Sequence, residues 1–241
     1  MAGVLLEVEA IESGYGNKTV LQGVSLRVHE GEVVAVLGHN GAGKSTALKT
    51  ILGLLPARAG SVRFAGERWA NGDPVGNVGR GMALVPQGRG VFPDLTVAEN
   101  LMLGAYTQTR TRRDAAATAA RLREVLELFP VLGERSAQRA GTLSGGQQQM
   151  VAVGMALMPR PRLMMMDEPS IGLAPVLVQR LLEAAREINR RFGTAIILVE
   201  QNIKTALGVA DRAYVMKSGR MVLEKPAAEL LAAQGSWWEL Y

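Results

Sequence analysis

The segment Gly38-His39-Asn40-Gly41-Ala42-Gly43-Lys44-Ser45 constrains this 241-residue chain more than any other. It has the form G-x-x-x-x-G-K-[ST]. A largely apolar run, Glu32 to Leu37, leads into its first glycine and reads as a buried parallel strand. Leu48, Ile51, Leu52 and Leu55 then recur at helical spacing, so a helix begins near Lys44. A strand, a glycine-rich turn and a helix in that order form a phosphate cradle. Phosphate oxygens must meet several backbone N–H groups at close range, so side chains must be missing at the turns. The helix start adds its positive dipole end. Lys44 is placed to bridge β- and γ-phosphates, and Ser45 to hold Mg²⁺. The glycine spacing is not the G-x-G-x-x-G of a dinucleotide site.

The rest of the chain reads as alternating strands and helices. Strands are expected at Leu5 to Ile11, Val20 to Val28, Ser61 to Phe64, Met82 to Val85, Leu163 to Met166 and Ala195 to Val199, with a late pair around Gly219. Leu177, Leu181, Ala184 and Ile188 mark a helix, and Leu122, Val125, Leu126 and Phe129 form an apolar stripe. This predicts an α/β fold: a P-loop core with a mainly parallel sheet, antiparallel β structure on the N-terminal side, and an inserted helical subdomain at roughly 88–158. The whole chain, 1–241, is expected to form one domain of this kind.

Leu163-Met164-Met165-Met166-Asp167-Glu168 places two carboxylates where an apolar strand ends. Alone, such a pair is often a solvated turn. With a phosphate loop in the same sheet, it lies at the edge where α/β folds gather ligands. Asp167 is placed to hold Mg²⁺ through water, and Glu168 to act as general base on the attacking water. The methionine run reads as core packing rather than a metal site.

Leu143-Ser144-Gly145-Gly146-Gln147 is a second helix start suited to an anion, with Ser144 as N-cap and two glycines leaving the first N–H groups bare. One nucleotide does not account for both helix starts within one chain. Here the sequence resembles the ABC ATPases, whose signature is LSGGQ. Four features fall in that family's order over nearly the whole chain: the phosphate loop, Gln87 after a strand, the signature, and the Asp167-Glu168 pair.

The resemblance implies an ATP-hydrolysing transport motor that works in pairs, with ATP and Mg²⁺ as cofactors. Gly38, His39, Asn40, Gly41, Ala42, Gly43, Lys44, Ser45 and Thr46 would cradle the phosphates. Gln87 would sense Mg²⁺ and the γ-phosphate, and Ser45, Gln87 and Asp167 would be the metal residues. Ser144, Gly145, Gly146 and Gln147 would act in trans on the partner's nucleotide. Tyr15 would stack on adenine, although read alone it is a surface tyrosine at a strand end.

Two positions depart from the general pattern. Gln201, in Val199-Glu200-Gln201-Asn202, stands where His is usual, and Ala174 stands where Asp is usual. Both departures, with Val85-Pro86-Gln87-Gly88-Arg89-Gly90-Val91-Phe92-Pro93, look like the second ATPase subunit of branched-chain amino-acid importers. Urea and amide importers are close relatives. Gln201 is expected in the catalytic site with Glu168 and Lys44. Because successive strand residues point to opposite faces, at most one of Glu200 and Gln201 should face the nucleotide.

The partners so implied are a sister or identical ATPase chain, two transmembrane permease subunits and, indirectly, a periplasmic or lipid-anchored binding protein. The permease is expected near Arg89 to Val97, with Phe92 as anchor, and the chain at the cytoplasmic face of the cell membrane. DNA-repair and chromosome-organising relatives carry a long heptad insertion before the signature, and translation-associated relatives carry two cassettes. This chain has neither.

Composition agrees. The sequence has no cysteine, which excludes disulfides, thiol catalysis and cysteine-ligated metal. That is compatible with a reducing compartment and equally with an exported protein. No stretch reaches the ~18 apolar residues of a membrane span, and Met1 to Glu9 lacks the form of a signal peptide. The net charge is +5 and aromatics are 5%. The clusters Arg110, Arg112, Arg113 and Arg186, Arg190, Arg191 therefore read as solvated helix faces, and no nucleic-acid partner is expected.

Overall fold

The computed structural model describes residues 3–69, 71–88, 90–106 and 112–233. Two sheets form its frame. The first is antiparallel, in the order β2 (Lys18–His29), β1 (Val4–Tyr15), β4 (Ala59–Phe64), β5 (Glu67–Arg68). The second has six strands, in the order β10 (Arg220–Pro226), β9 (Arg212–Lys217), β3 (Val33–Leu37), β8 (Ala195–Glu200), β7 (Leu163–Asp167), β6 (Met82–Val85). It is parallel from β9 to β6, and β10 runs antiparallel to β9. The β9–β10 turn uses Ser218 and Gly219, both at positive φ, the backbone that a tight hairpin requires.

The central strands are apolar without alternation because both faces of this sheet are covered. Every residue of β3, β7 and β8 is buried. Alternate residues still go to different cores. Val33, Ala35, Leu37, Met164, Met166, Ile196 and Leu198 face a helical layer. Val34, Val36, Leu163, Met165, Ile197 and Val199 face β1, β2, β4 and the first helix. The methionine run is thus divided between two cores.

Helices α1 (Lys44–Leu52) and α2 (Pro74–Gly79) lie between β3 and β6. Between β6 and β7 the chain is helical: α3 (Val97–Gly104), α4 (Arg112–Leu128), α5 (Pro130–Glu134), a 3₁₀ turn at Ala140–Thr142, and α6 (Gly145–Leu157). Thr96 and Glu99 form a capping box that starts α3. Gly154 lets α6 approach its neighbours, since a Cβ there would lie 2.7 Å from Leu101 and 2.9 Å from Val125. The carboxyl side holds α7 (Pro175–Phe192), α8 (Ile203–Val209) and α9 (Ala227–Ala232).

Helix α7 starts at Ala174 with no side-chain cap. An Asp there would have added about 1 kcal/mol, and Pro175 at the first helical position partly replaces that preference. Of the basic clusters, Arg186 pairs with Asp211 and Arg191 with Glu127. Arg110 lies outside the described residues, as do the side chains of Arg112 and Arg113. Among the described residues no helix is long and apolar enough to cross a membrane.

Candidate functional site

The strand order brings the sequence motifs together. Strands β3, β8, β7 and β6 are adjacent and parallel, so their carboxyl ends share one edge of the sheet. The phosphate loop, Gln201, the Asp167-Glu168 pair and Gln87 follow these ends in turn.

The loop's glycines have separate reasons. A Cβ on Gly38 would lie 2.4 Å from the Met216 carbonyl oxygen, so only glycine lets the loop leave β3 beside β9. Gly41 and Gly43 sit at φ 80° and 111°, in the region that favours glycine. No side chain caps the N-terminus of α1 and no acid lies in its first turn. The first-turn N–H groups are therefore available to an anion. A cleft of about 500 Å³ opens here, lined by Tyr15, Asn40, Gly41, Gly43, Lys44, Ser45, Thr46, Gln87 and Glu168 among others. An adjoining hollow is lined by Gly38, His39, Asn40 and Gln201. Ala42 is buried, and its carbonyl accepts from the Gly219 N–H. Tyr15 is 48% exposed at the end of β1.

The Glu168 carboxylate is the hub. It is 4% exposed. Its Oε1 lies 3.2 Å from Lys44 Nζ, and its Oε2 accepts from Gln201 Nε2 at 2.7 Å and Gln87 Nε2 at 3.0 Å. Lys44 Nζ also donates to the carbonyls of Gly38 at 2.7 Å and His39 at 3.1 Å, which folds the loop around its ammonium. Asp167 accepts from Ser45 Oγ at 2.9 Å. Burial raises the Asp167 carboxyl above its usual range; the Ser45 hydrogen bond opposes this and the Glu168 charge adds to it. A cation would favour the ionised form. Ser45, Asp167 and the Gln87 carbonyl offer oxygen donors and a single carboxylate. That suits Mg²⁺, which keeps waters and shares its shell with phosphates.

Glu200 and Gln201 do face different partners. Gln201 reaches Glu168, while the Glu200 carboxylate accepts from Ser170 Oγ at 2.7 Å and Ser170 N at 3.1 Å. Sequence reasoning overlooks Ser170, because its partner is thirty positions away in sequence. The only sequence signal is a hydroxyl residue just past the acidic pair.

The second helix start lies elsewhere. Ser144 caps α6, accepting from Gln147 N while Gln147 Oε1 accepts from Ser144 N at 3.1 Å. Gly145 is open to solvent, whereas a Cβ on Gly146 would lie 2.6 Å from Leu177. None of Ser144, Gly145, Gly146 and Gln147 is among the residues that line the cleft beside Lys44. Phe92 is 52% exposed, although its backbone is held at both N–H and carbonyl by the buried Asn100. Arg89 lies outside the described residues.

Residues 21–171 match the family model described as ABC transporter. The chain is 46% identical over 228 residues to the high-affinity branched-chain amino acid transport ATP-binding protein BraG of Pseudomonas aeruginosa, covering 94% of this chain and 95% of that one. It is 36% identical over 231 residues to the probable branched-chain amino acid transport ATP-binding protein LivF of Archaeoglobus fulgidus, covering 94% of each. Among solved structures, a nucleotide-free ATP-binding cassette from an ABC transporter superposes with a TM-score of 0.86 at 28% identity, covering 99% of both chains. The ATP-binding subunit of another ABC transporter gives 0.82 at 32% identity over 98% of both.

Proposed function

This chain belongs to the ABC transporter family of ATP-binding subunits, and from that premise we propose that it is the ATP-hydrolysing motor of an importer for branched-chain amino acids. The observation that carries the site assignment is the convergence on Glu168 of Lys44, Gln87 and Gln201 beside the phosphate loop. The cargo assignment rests on the names of the two relatives over almost the full chain. A urea or amide importer is the second reading, favoured only by the likeness of those subfamilies.

The residues divide the work. Backbone N–H groups from Gly41 to Thr46 bind the β- and γ-phosphates, and Lys44 moves from Glu168 onto the γ-phosphate as negative charge grows there. Glu168 then takes a proton from the attacking water, and Gln201 and Gln87 hold that carboxylate in place. Tyr15 offers its exposed ring to adenine. Ser45, Asp167 and Gln87 would hold Mg²⁺, which neutralises phosphate charge when bound.

Ser144, Gly145, Gly146 and Gln147 belong to the nucleotide of a second ATPase subunit, a sister or an identical chain. The helical segment at roughly 88–158 acts as the subdomain that carries them. Two permease subunits dock beside Phe92, and a periplasmic or lipid-anchored binding protein delivers cargo to them. On this reading the chain works at the cytoplasmic face of the cell membrane.

The test is Glu168→Gln in the reconstituted transporter. It should keep ATP binding, cut phosphate release to a small residual rate and block leucine uptake. Undiminished turnover would refute the role of Glu168, and uptake of urea or amides in preference to branched-chain amino acids would refute the cargo.

A further inference from the structure

Glu168 has a backbone its own sequence does not favour. Its φ is 47°, in the left-handed region that a residue with a Cβ avoids. The next residue, Pro169, biases it toward extended backbone instead. A strained conformation of this kind persists only where the surroundings over-determine it.

Two tethers surround it. The Glu168 N–H donates to the Val199 carbonyl at 3.0 Å. Two residues further on, Ser170 gives both its N–H and its hydroxyl to the Glu200 carboxylate. Glu200 is the last residue of β8, is 2% exposed, and also accepts from the Gln201 N–H at 3.3 Å. A buried carboxylate is costly unless donors surround it. Here the donors come from the two segments that carry Glu168 and Gln201. Gln201 Nε2 on Glu168 closes the ring.

We infer that Glu200 is a positioning residue: with Ser170 it forms a buried clamp that holds Glu168 and Gln201 in their reacting geometry. Glu200 does not replace the base, because both its oxygens are engaged by Ser170 and it does not line the cleft. The inference rests on the reading of Glu168 as base.

The test uses the assembled transporter with the partner's site silenced by its own base substitution. Ser170→Ala, Ser170→Thr and Glu200→Gln are compared for kcat, KM for ATP and Tm, alone and in the Glu168→Gln background. Loss of a hydrogen bond to a charged group predicts that Ser170→Ala and Glu200→Gln lower kcat about tenfold, with KM near parental and Tm lower by a few degrees. Ser170→Thr keeps the hydroxyl and restores kcat. In the Glu168→Gln background, neither Ser170→Ala nor Glu200→Gln lowers the residual rate further, because there is no base left to misplace.

Parental kcat in Ser170→Ala and Glu200→Gln, while Glu168→Gln falls to its residual rate, overturns the clamp and leaves the base reading intact. So does an equal loss in the Glu168→Gln background, or a kcat loss matched by an equal change in KM. Parental turnover in Glu168→Gln itself removes the base reading, and the clamp with it. If Glu200→Gln does not fold, the Ser170→Ala and Ser170→Thr pair decides the matter.

Discussion

Gln201→Ala tests how much the amide in place of the usual imidazole contributes. Gln201 Nε2 donates to Glu168 Oε2 at 2.7 Å. A hydrogen bond to a charged group is worth about 1.5–3 kcal/mol, which corresponds to roughly 10- to 150-fold in rate. Two features of the site move the estimate to the lower end. Gln87 Nε2 remains on the same oxygen at 3.0 Å, and Gln201 is exposed, so water can take its place. The expected loss is therefore about tenfold in the chemical step. Removing Gln87 as well should cost more than either change alone, since Oε2 then loses both amides. Gln201→His should match or exceed the parent, because an imidazole donates to the same carboxylate and can carry charge near neutral pH. The assay is single-turnover hydrolysis in the assembled complex with the partner's site silenced. If Gln201→Ala hydrolyses ATP at the parental rate, the bond to Glu168 does not contribute to the reaction.

Lys44→Ala should reduce phosphate release to background and weaken ATP binding, because the one ammonium inside the loop is gone; turnover near parental in a colorimetric phosphate assay would contradict this. Phe92→Ala should leave Tm close to parental, since the ring is half exposed, yet lower uptake and transport-stimulated hydrolysis. Full transport with normal folding would remove Phe92 from the permease interface. Asp211 bears on acid stability. Burial opposes its ionisation, but hydrogen bonds from Arg186 and the Val33 N–H outweigh that and lower its carboxyl below the usual range. A depressed folded value stabilises the protein above the unfolded value of about 4, and that stabilisation is lost as pH falls through the folded value. Asp211→Asn should lower Tm at pH 7 and show a shallower fall than the parent below about pH 4 in calorimetry; parallel Tm–pH curves would rule this out.

What could be read before folding was whatever depends on backbone and near neighbours. The phosphate loop is a run of glycines between an apolar strand and a periodic helix, and the chain folds there as that pattern requires. Ser144 and Gln147 form their capping box within one helical turn. Strand β1 reaches Tyr15, beyond the expected Ile11, because pairing with β2 and β4 extends it where apolar alternation has ceased. Helices α2, α8 and α9 are six or seven residues long, too short to establish a period.

The arrangement of the site was decided only by tertiary structure. Strand β8 lies between β3 and β7, so the end of β8 reaches across to the acidic pair, and Gln201 and Glu200 meet Glu168 and Ser170. The residues of each pair are about thirty positions apart in sequence. Parallel strands carry no local signal of their neighbours, because the crossovers between them leave sheet order free of any short-range pattern. Sequence alone thus determined which groups this protein could use, and the order of strands decided which of them touch.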